Sequence, residues 1–238
     1  MPSTGNLLIQ ALAADDLQLL DPLFKRVPLQ EGDVLASAGQ RIENVCFLEG
    51  GVASFSSVSA AGGRTGIGMV GYEGCTGWHI LLGSDISPYD SMVAVGGATA
   101  LQVDADDLLE ACGRSASLRG LLMRFVQSVF AQISETAISN VNDPVQGRLC
   151  RWLLMNHDRL DGDEIQLSHG EIGNMLGVRR ASVTDALHVL EGEGLITAKR
   201  RSICVRDRRR LRQCAGENYG FAEAEYRRLI APFGKDDD

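Results

Sequence analysis

The chain has 238 residues, 45% of them hydrophobic, with 27 glycines, six cysteines and a net charge of −8. That length and apolar content allow two domains with cores of their own and exclude a disordered or fibrous chain. The amino terminus has no basic n-region, and no apolar run approaches the ~20 residues a membrane helix needs. The cysteines, at 46, 75, 112, 150, 204 and 214, include no Cys-x-x-Cys pair. A cytoplasmic protein with reduced thiols, no membrane partner and no zinc site is therefore expected.

Residues 6–20 read as a short helical start. From 24 to 103, brief apolar runs are broken by glycines, and the stretches 45–48 and 52–58 have the length of strands, so a small β sandwich or barrel is expected. Gly66, Gly68 and Gly71 match the spacing of a dinucleotide-binding fingerprint, with Asp90 about 20 residues on. Such a fingerprint must open a helix that holds a pyrophosphate, and Gly74 and Gly77 follow too soon for one, so a nucleotide-cofactor enzyme is rejected.

The pattern turns helical after 103. A short capped helix is expected over 104–112, then a long one over 115–141, in which Leu122, Val126, Val129, Ile133 and Thr136 step by four and three. That spacing is a coiled-coil seam and suits dimerisation; the alternative is a long helix packed on its own β domain.

Residues 168–196 carry the strongest local signal. Ser168 and Glu171 form a capping box ahead of Ile172, Met175 and Leu176, and Gly177 supplies a tight turn. Val183, Leu187 and Leu190 then recur at helical spacing. The pattern is a helix-turn-helix whose second helix offers Arg179, Arg180, Ser182, Thr184, Asp185 and His188 to solvent. Two short helices around a glycine could equally be a core hairpin, and the flanks decide between them. A short extended run at 164–167 precedes the motif, and runs at 195–198 and 203–206 follow it, joined by Lys199, Arg200, Arg201 and Ser202. This is a hairpin with a basic tip, the layout of a wing that grips the phosphate backbone. Residues 142–212 carry 13 basic and 10 acidic side chains, against 7 and 15 in 1–141 and 3 and 6 in 213–238. Only the segment that holds the motif is basic.

A glycine-punctuated β region, a seam helix and a winged helix in this order resemble the CRP/FNR family of bacterial transcription regulators over residues 20–212. The likeness is strongest at 144–149, which is similar to the family's entry into its DNA-binding domain, and at 188–196, its exit. It implies an α+β fold: a cyclic-nucleotide-binding-like β-roll sensor over 1–114, a dimerisation helix over 115–141 and a winged helix over 142–212. A helical extension and acidic tail, 213–238, are left over and are expected to pack on the winged domain. The implied activity is sequence-specific binding of double-stranded DNA by a homodimer, with half-sites one helical turn apart and RNA polymerase as a further partner.

Carried over residue by residue, the resemblance makes Arg180 the reader of guanine. His169 and Ser182 fall on phosphate-contacting positions, and Lys199, Arg200 and Arg201 on the wing. Ala181 and Asp185 stand where the cyclic AMP sensor of the family has a glutamate and a second arginine, so a different operator is expected. In the β half, Trp78 and His79 replace the ribose-binding carboxylate turn, and Tyr89, Asp90 and Ser91 the phosphate-binding Arg-Ser pair. No cyclic AMP binding is expected, and the effector is left open.

Cys46, the first cysteine, is too late for the family's amino-terminal iron-sulfur cluster. Cys75 and His79 raise haem ligation, against which a buried thiol and a hydrogen-bonded imidazole are the expectation; Cys204 raises redox sensing beside the wing. No cofactor, metal site or catalytic constellation is expected, since His79, His157, His169 and His188 do not cluster with carboxylates at ligand spacing. A β-roll acting mainly through protein interaction is the alternative function, with an enzyme behind it.

Overall fold

The computed structural model describes residues 4–58 and 62–236, so Met1 to Ser3 and the last two aspartates of the acidic tail lie outside the described residues. The helical start is two pieces, α1 (Leu7–Gln10) and α2 (Ala14–Leu20). Asn6 caps α1 by accepting from the Ile9 amide, while its Nδ2 donates to the carbonyls of Leu48 at 2.7 Å and Gly74 at 2.8 Å, which ties the start to the β domain.

Strands β1 (Lys25–Leu29), β2 (Val34–Ala36), β3 (Asn44–Leu48), β4 (Val52–Val58), β5 (Arg64–Val70), β6 (Asp90–Val95) and β7 (Ala98–Asp104) form two antiparallel sheets. Their orders are β1-β7-β3 and β2-β6-β4-β5. Phe47 opposite Leu101 on one sheet and Phe55 on the other fill the core between them. Of the rejected fingerprint glycines, Gly66 and Gly68 lie in strand β5 and Gly71 just follows it. A Cβ at Gly66 would stand 2.8 Å from the Met175 carbonyl oxygen, and one at Gly68 2.9 Å from Gln132 Oε1. These glycines allow close approach of neighbouring helices, not of a pyrophosphate.

Asp104 caps α3 (Ala105–Arg114) and Ser115 caps α4 (Ala116–Asn142). The amino-terminal part of the expected seam turns inward. Leu122, Val126 and Val129 are buried in the core of their own β-roll and Ile133 packs against it, while Thr136 donates to the Gln132 carbonyl. Leu122, Val126 and Val129 are thus covered by the chain itself, while Ile133 and Thr136 are partly exposed. The outward stripe of α4 is Met123, Gln127, Phe130, Ser134, Ala137 and Val141, which also steps by four and three, with Phe130 47% and Val141 84% exposed.

Helices α5 (Val145–His157), α6 (His169–Leu176) and α7 (Arg180–Gly192) and strands β8 (Glu164–Ile165), β9 (Ile196–Lys199) and β10 (Ser202–Val205) build the winged domain around a second core. The sheet order is β8-β10-β9. Helix α8 (Arg208–Ala215) crosses the expected boundary at 212, and α9 (Phe221–Leu229) lies along α4. The extension does more than cover the winged domain. Tyr226 and Phe233 are buried with the β-roll core, and Tyr226 donates to the Glu73 carbonyl at 2.5 Å. Behind them Arg159 of the winged domain pairs with Glu73 at 2.8 Å, both side chains under 5% exposed. The carboxy-terminal segment thus straps the two domains together. Among the described residues no helix is long and apolar enough to cross a membrane.

Candidate nucleic-acid interface and sensor region

The capping box forms as the sequence indicates, with the Glu171 amide donating to Ser168 Oγ at 3.3 Å and the Ser168 amide donating to Glu171 Oε2 at 2.6 Å. Gly177 ends α6 at φ 62°, the left-handed conformation that a side chain would resist. The Val178 amide then returns to the Gly173 carbonyl, which sets the angle at which α7 leaves. Val183, Ala186, Leu187 and Leu190 bury one face of α7.

The opposite face carries Arg179, Arg180, Asp185 and His188 exposed to solvent, with Ser182 and Thr184 partly exposed. No side chain caps α7 at Arg179, and Arg179 and Arg180 are both exposed at this end of the helix, an arrangement suited to phosphate and base edges. Thr184 is turned back: its hydroxyl donates to the Arg180 carbonyl at 3.1 Å and contacts His169 Nδ1 at 3.0 Å. Burial, reinforced by Arg180 and His188, pulls the His169 pKa down, so the ring offers hydrogen bonds rather than charge at neutral pH.

The wing turn is Arg200 and Arg201, and Arg201 takes φ 57°, a conformation non-glycine residues seldom adopt. Lys199 and Arg200 are exposed. Arg201 instead pairs with Glu31 of the β-roll and lies 3.6 Å from Glu171. Glu31 was not legible as part of the interface, because its role depends on how the two domains dock.

In the β-roll, Trp78 stacks on His79 at 3.8 Å, His79 meets Tyr89 edge-on at 4.7 Å, and Phe130 of α4 closes on Trp78 at 6.0 Å. All but Phe130 are buried. Trp78 Nε1, both ring nitrogens of His79, Tyr89 Oη and Ser91 Oγ have no hydrogen-bond partner among the described residues. Burial pushes the His79 pKa down to about 4 and the Tyr89 phenol up, so both are neutral at pH 7. Asp90 accepts from the Ala38 amide at 3.0 Å and pairs with Arg64 at 3.1 Å, which commits both charges. Cys75 is buried beside Cys46 and Cys112, and its thiol pKa is raised. Cys204 is partly exposed and donates to the Val205 carbonyl.

Residues 147–214 match the family described as the Crp-like helix-turn-helix domain. Electron transport regulator A of Shewanella oneidensis is 22% identical over 232 residues, 90% of this chain and 88% of that protein. Two solved structures share the fold. FixK2 from Bradyrhizobium japonicum has a TM-score of 0.68 at 18% identity, covering 79% of this chain and 95% of its own. A CRP-family transcriptional regulator from Thermus thermophilus has a TM-score of 0.67 at 20% identity, covering 81% and 97%.

Proposed function

We propose that the chain, which holds a Crp-like helix-turn-helix domain in a fold shared with CRP/FNR-family structures, is a DNA-binding transcription regulator of that type, reads a near-palindromic operator as a homodimer and answers to an effector other than cyclic AMP. The observation that carries the DNA reading is the exposed face of α7, where Arg179 and Arg180 stand exposed at an amino terminus that no side chain caps. Arg180 reads guanine, the α7 amides and Ser182 hold phosphate, and Lys199 and Arg200 extend the contact from the wing. Asp185, on the same face, disfavours phosphate beside it and selects a base that can donate.

The second copy sits on the stripe of Met123, Phe130, Ala137 and Val141. These residues continue a four-three spacing along the exposed side of α4. Two recognition helices held by one such coil are spaced to enter successive major grooves.

The effector region supports a neutral ligand. It offers unpartnered indole, phenol, hydroxyl and uncharged imidazole groups, while Arg64, which reaches Asp90 beside Tyr89 and Ser91, is held in that pair. A cyclic phosphate would lose charge-assisted hydrogen bonds there and lie near a carboxylate. Calorimetry that showed micromolar cyclic AMP binding would overturn this part. For DNA, salt-dependent binding to a palindromic promoter fragment that is lost in Arg180→Ala supports the reading, and binding unchanged in that variant contradicts it.

A further inference from the structure

Two cysteines far apart in sequence meet at the base of the winged domain. Cys150 is buried on α5 and Cys214 is partly exposed on α8, with their sulfur atoms 2.8 Å apart. A disulfide bond measures about 2.05 Å, so the sulfurs need to close by only about 0.8 Å. Gln146, one turn before Cys150, donates its Nε2 to Cys214 Sγ at 3.7 Å. None of the other cysteines offers this combination. Cys46, Cys75 and Cys112 are buried with raised pKa values, and Cys204 donates to a backbone carbonyl.

We propose that Cys150 and Cys214 are a redox pair, in which Cys214 is the thiol that reacts with a hydroperoxide and Cys150 is the thiol that resolves it into a reversible disulfide. The division of labour follows from the hydrogen bonds. The Cys150 S–H donates to the Cys214 sulfur, which with Gln146 pulls the Cys214 pKa down to about 7, while Cys150 is pushed up. The partly exposed sulfur of Cys214 is therefore the one biased towards the thiolate.

The chemistry balances. The Cys214 thiolate attacks the distal oxygen of the hydroperoxide, the O–O bond breaks, and the leaving alkoxide or hydroxide takes up a proton. Sulfur at 214 is now a sulfenic acid, oxidised by two electrons. The Cys150 sulfur then attacks it, the S–O bond breaks, and hydroxide leaves with the Cys150 proton as water. Two thiols and one peroxide yield one disulfide, and a dithiol reductant reverses the change. The new bond closes a loop over β8, α6, α7, β9 and β10, so it joins the entry and exit helices of the DNA-binding domain.

The test uses the full-length reduced chain, treated with one equivalent of hydrogen peroxide, denatured, alkylated and mapped by mass spectrometry. The alkylatable thiols should fall from six to four, with Cys150 and Cys214 recovered in one linked peptide that dithiothreitol separates. Cys150→Ser should instead accumulate a sulfenate at Cys214 that dimedone captures, and Cys214→Ser should form no link. Mapping of the wild-type chain does not depend on how the variants fold. Retention of six alkylatable thiols, or a link that joins any other pair, would overturn the proposal.

Discussion

Arg159→Ala removes the charge on which the contact between the two domains turns. In the native chain the Arg159 Nε donates to Glu73 Oε1 at 2.9 Å, Nη2 lies 2.8 Å from the same oxygen, and Nη1 donates to the Met155 carbonyl at 2.7 Å. The guanidinium also lies 5.0 Å from the centre of the Phe233 ring. Alanine would leave the Glu73 carboxylate buried with the Gly71 amide at 2.9 Å as its remaining donor, and Asp158 and Glu223 would lose the same cation. Breaking a buried pair from one side costs about 3–5 kcal/mol. Domains are stable by about 5–15 kcal/mol, so the loss is a large share. Trp78 in the β-roll and Trp152 on α5 place a fluorescent probe in each domain, and urea unfolding should show both the loss and a separation of the two transitions. The double variant Glu73→Gln/Arg159→Met removes both charges at similar volume and should recover most of the stability. A loss under about 1 kcal/mol in Arg159→Ala, or a double variant no better than the single, would refute the reasoning.

Other outcomes follow from the same contacts. Glu31→Gln should free Arg201 for phosphate and raise DNA affinity roughly two- to threefold at low salt, as befits an exposed pair; an unchanged titration would show that the wing is not held back. His79 is neutral in the fold, with its pKa lowered to about 4 by burial, whereas the unfolded chain takes up the proton near pH 6.5. The unfolded state therefore binds more protons between those values, and stability should be full above pH 6.5 and fall towards pH 4. Thermal melts of His79→Gln should show a shallower acid slope, and an unchanged slope would assign the effect to other histidines. Gly74→Ala would set a Cβ 2.1 Å from the Phe125 ring and should destabilise by about 1–3 kcal/mol or more. Gly113→Ala, with nothing within 4 Å of the new carbon in helix α3, should be neutral or stabilise by up to about 1 kcal/mol. Melting temperatures of the two variants check both.

The elements that could be read from the sequence are those whose signals are local. Ser168 with Glu171, Gly177, and Asp104 ahead of α3 each act within a few residues, and each does in the fold what its spacing indicates. The two faces of α4 could not be separated this way. Leu122, Val126 and Val129 and the stripe of Met123, Phe130 and Val141 share the same periodicity, and only docking on the β-roll tells which is covered. The strap was out of reach for the same reason. Tyr226 and Phe233 look like ordinary apolar residues of a terminal helix and tail until the chain returns to Glu73 and Arg159. On α7 the helical spacing already places Arg180 on the face opposite Val183, Leu187 and Leu190, where it is exposed, while the pairing of Arg201 with Glu31 depends on contacts 170 residues apart.

The reading of the chain as a dimeric operator-binding regulator is tested most directly by selecting DNA from a random pool with the purified protein and sequencing what is retained. The expected result is an inverted repeat with half-sites one helical turn apart, each holding a guanine whose selection disappears in Arg180→Ala, at a cost of about 1–3 kcal/mol per half-site. Retention of DNA with no common sequence, or of a single asymmetric site that Arg180→Ala binds equally well, would contradict it.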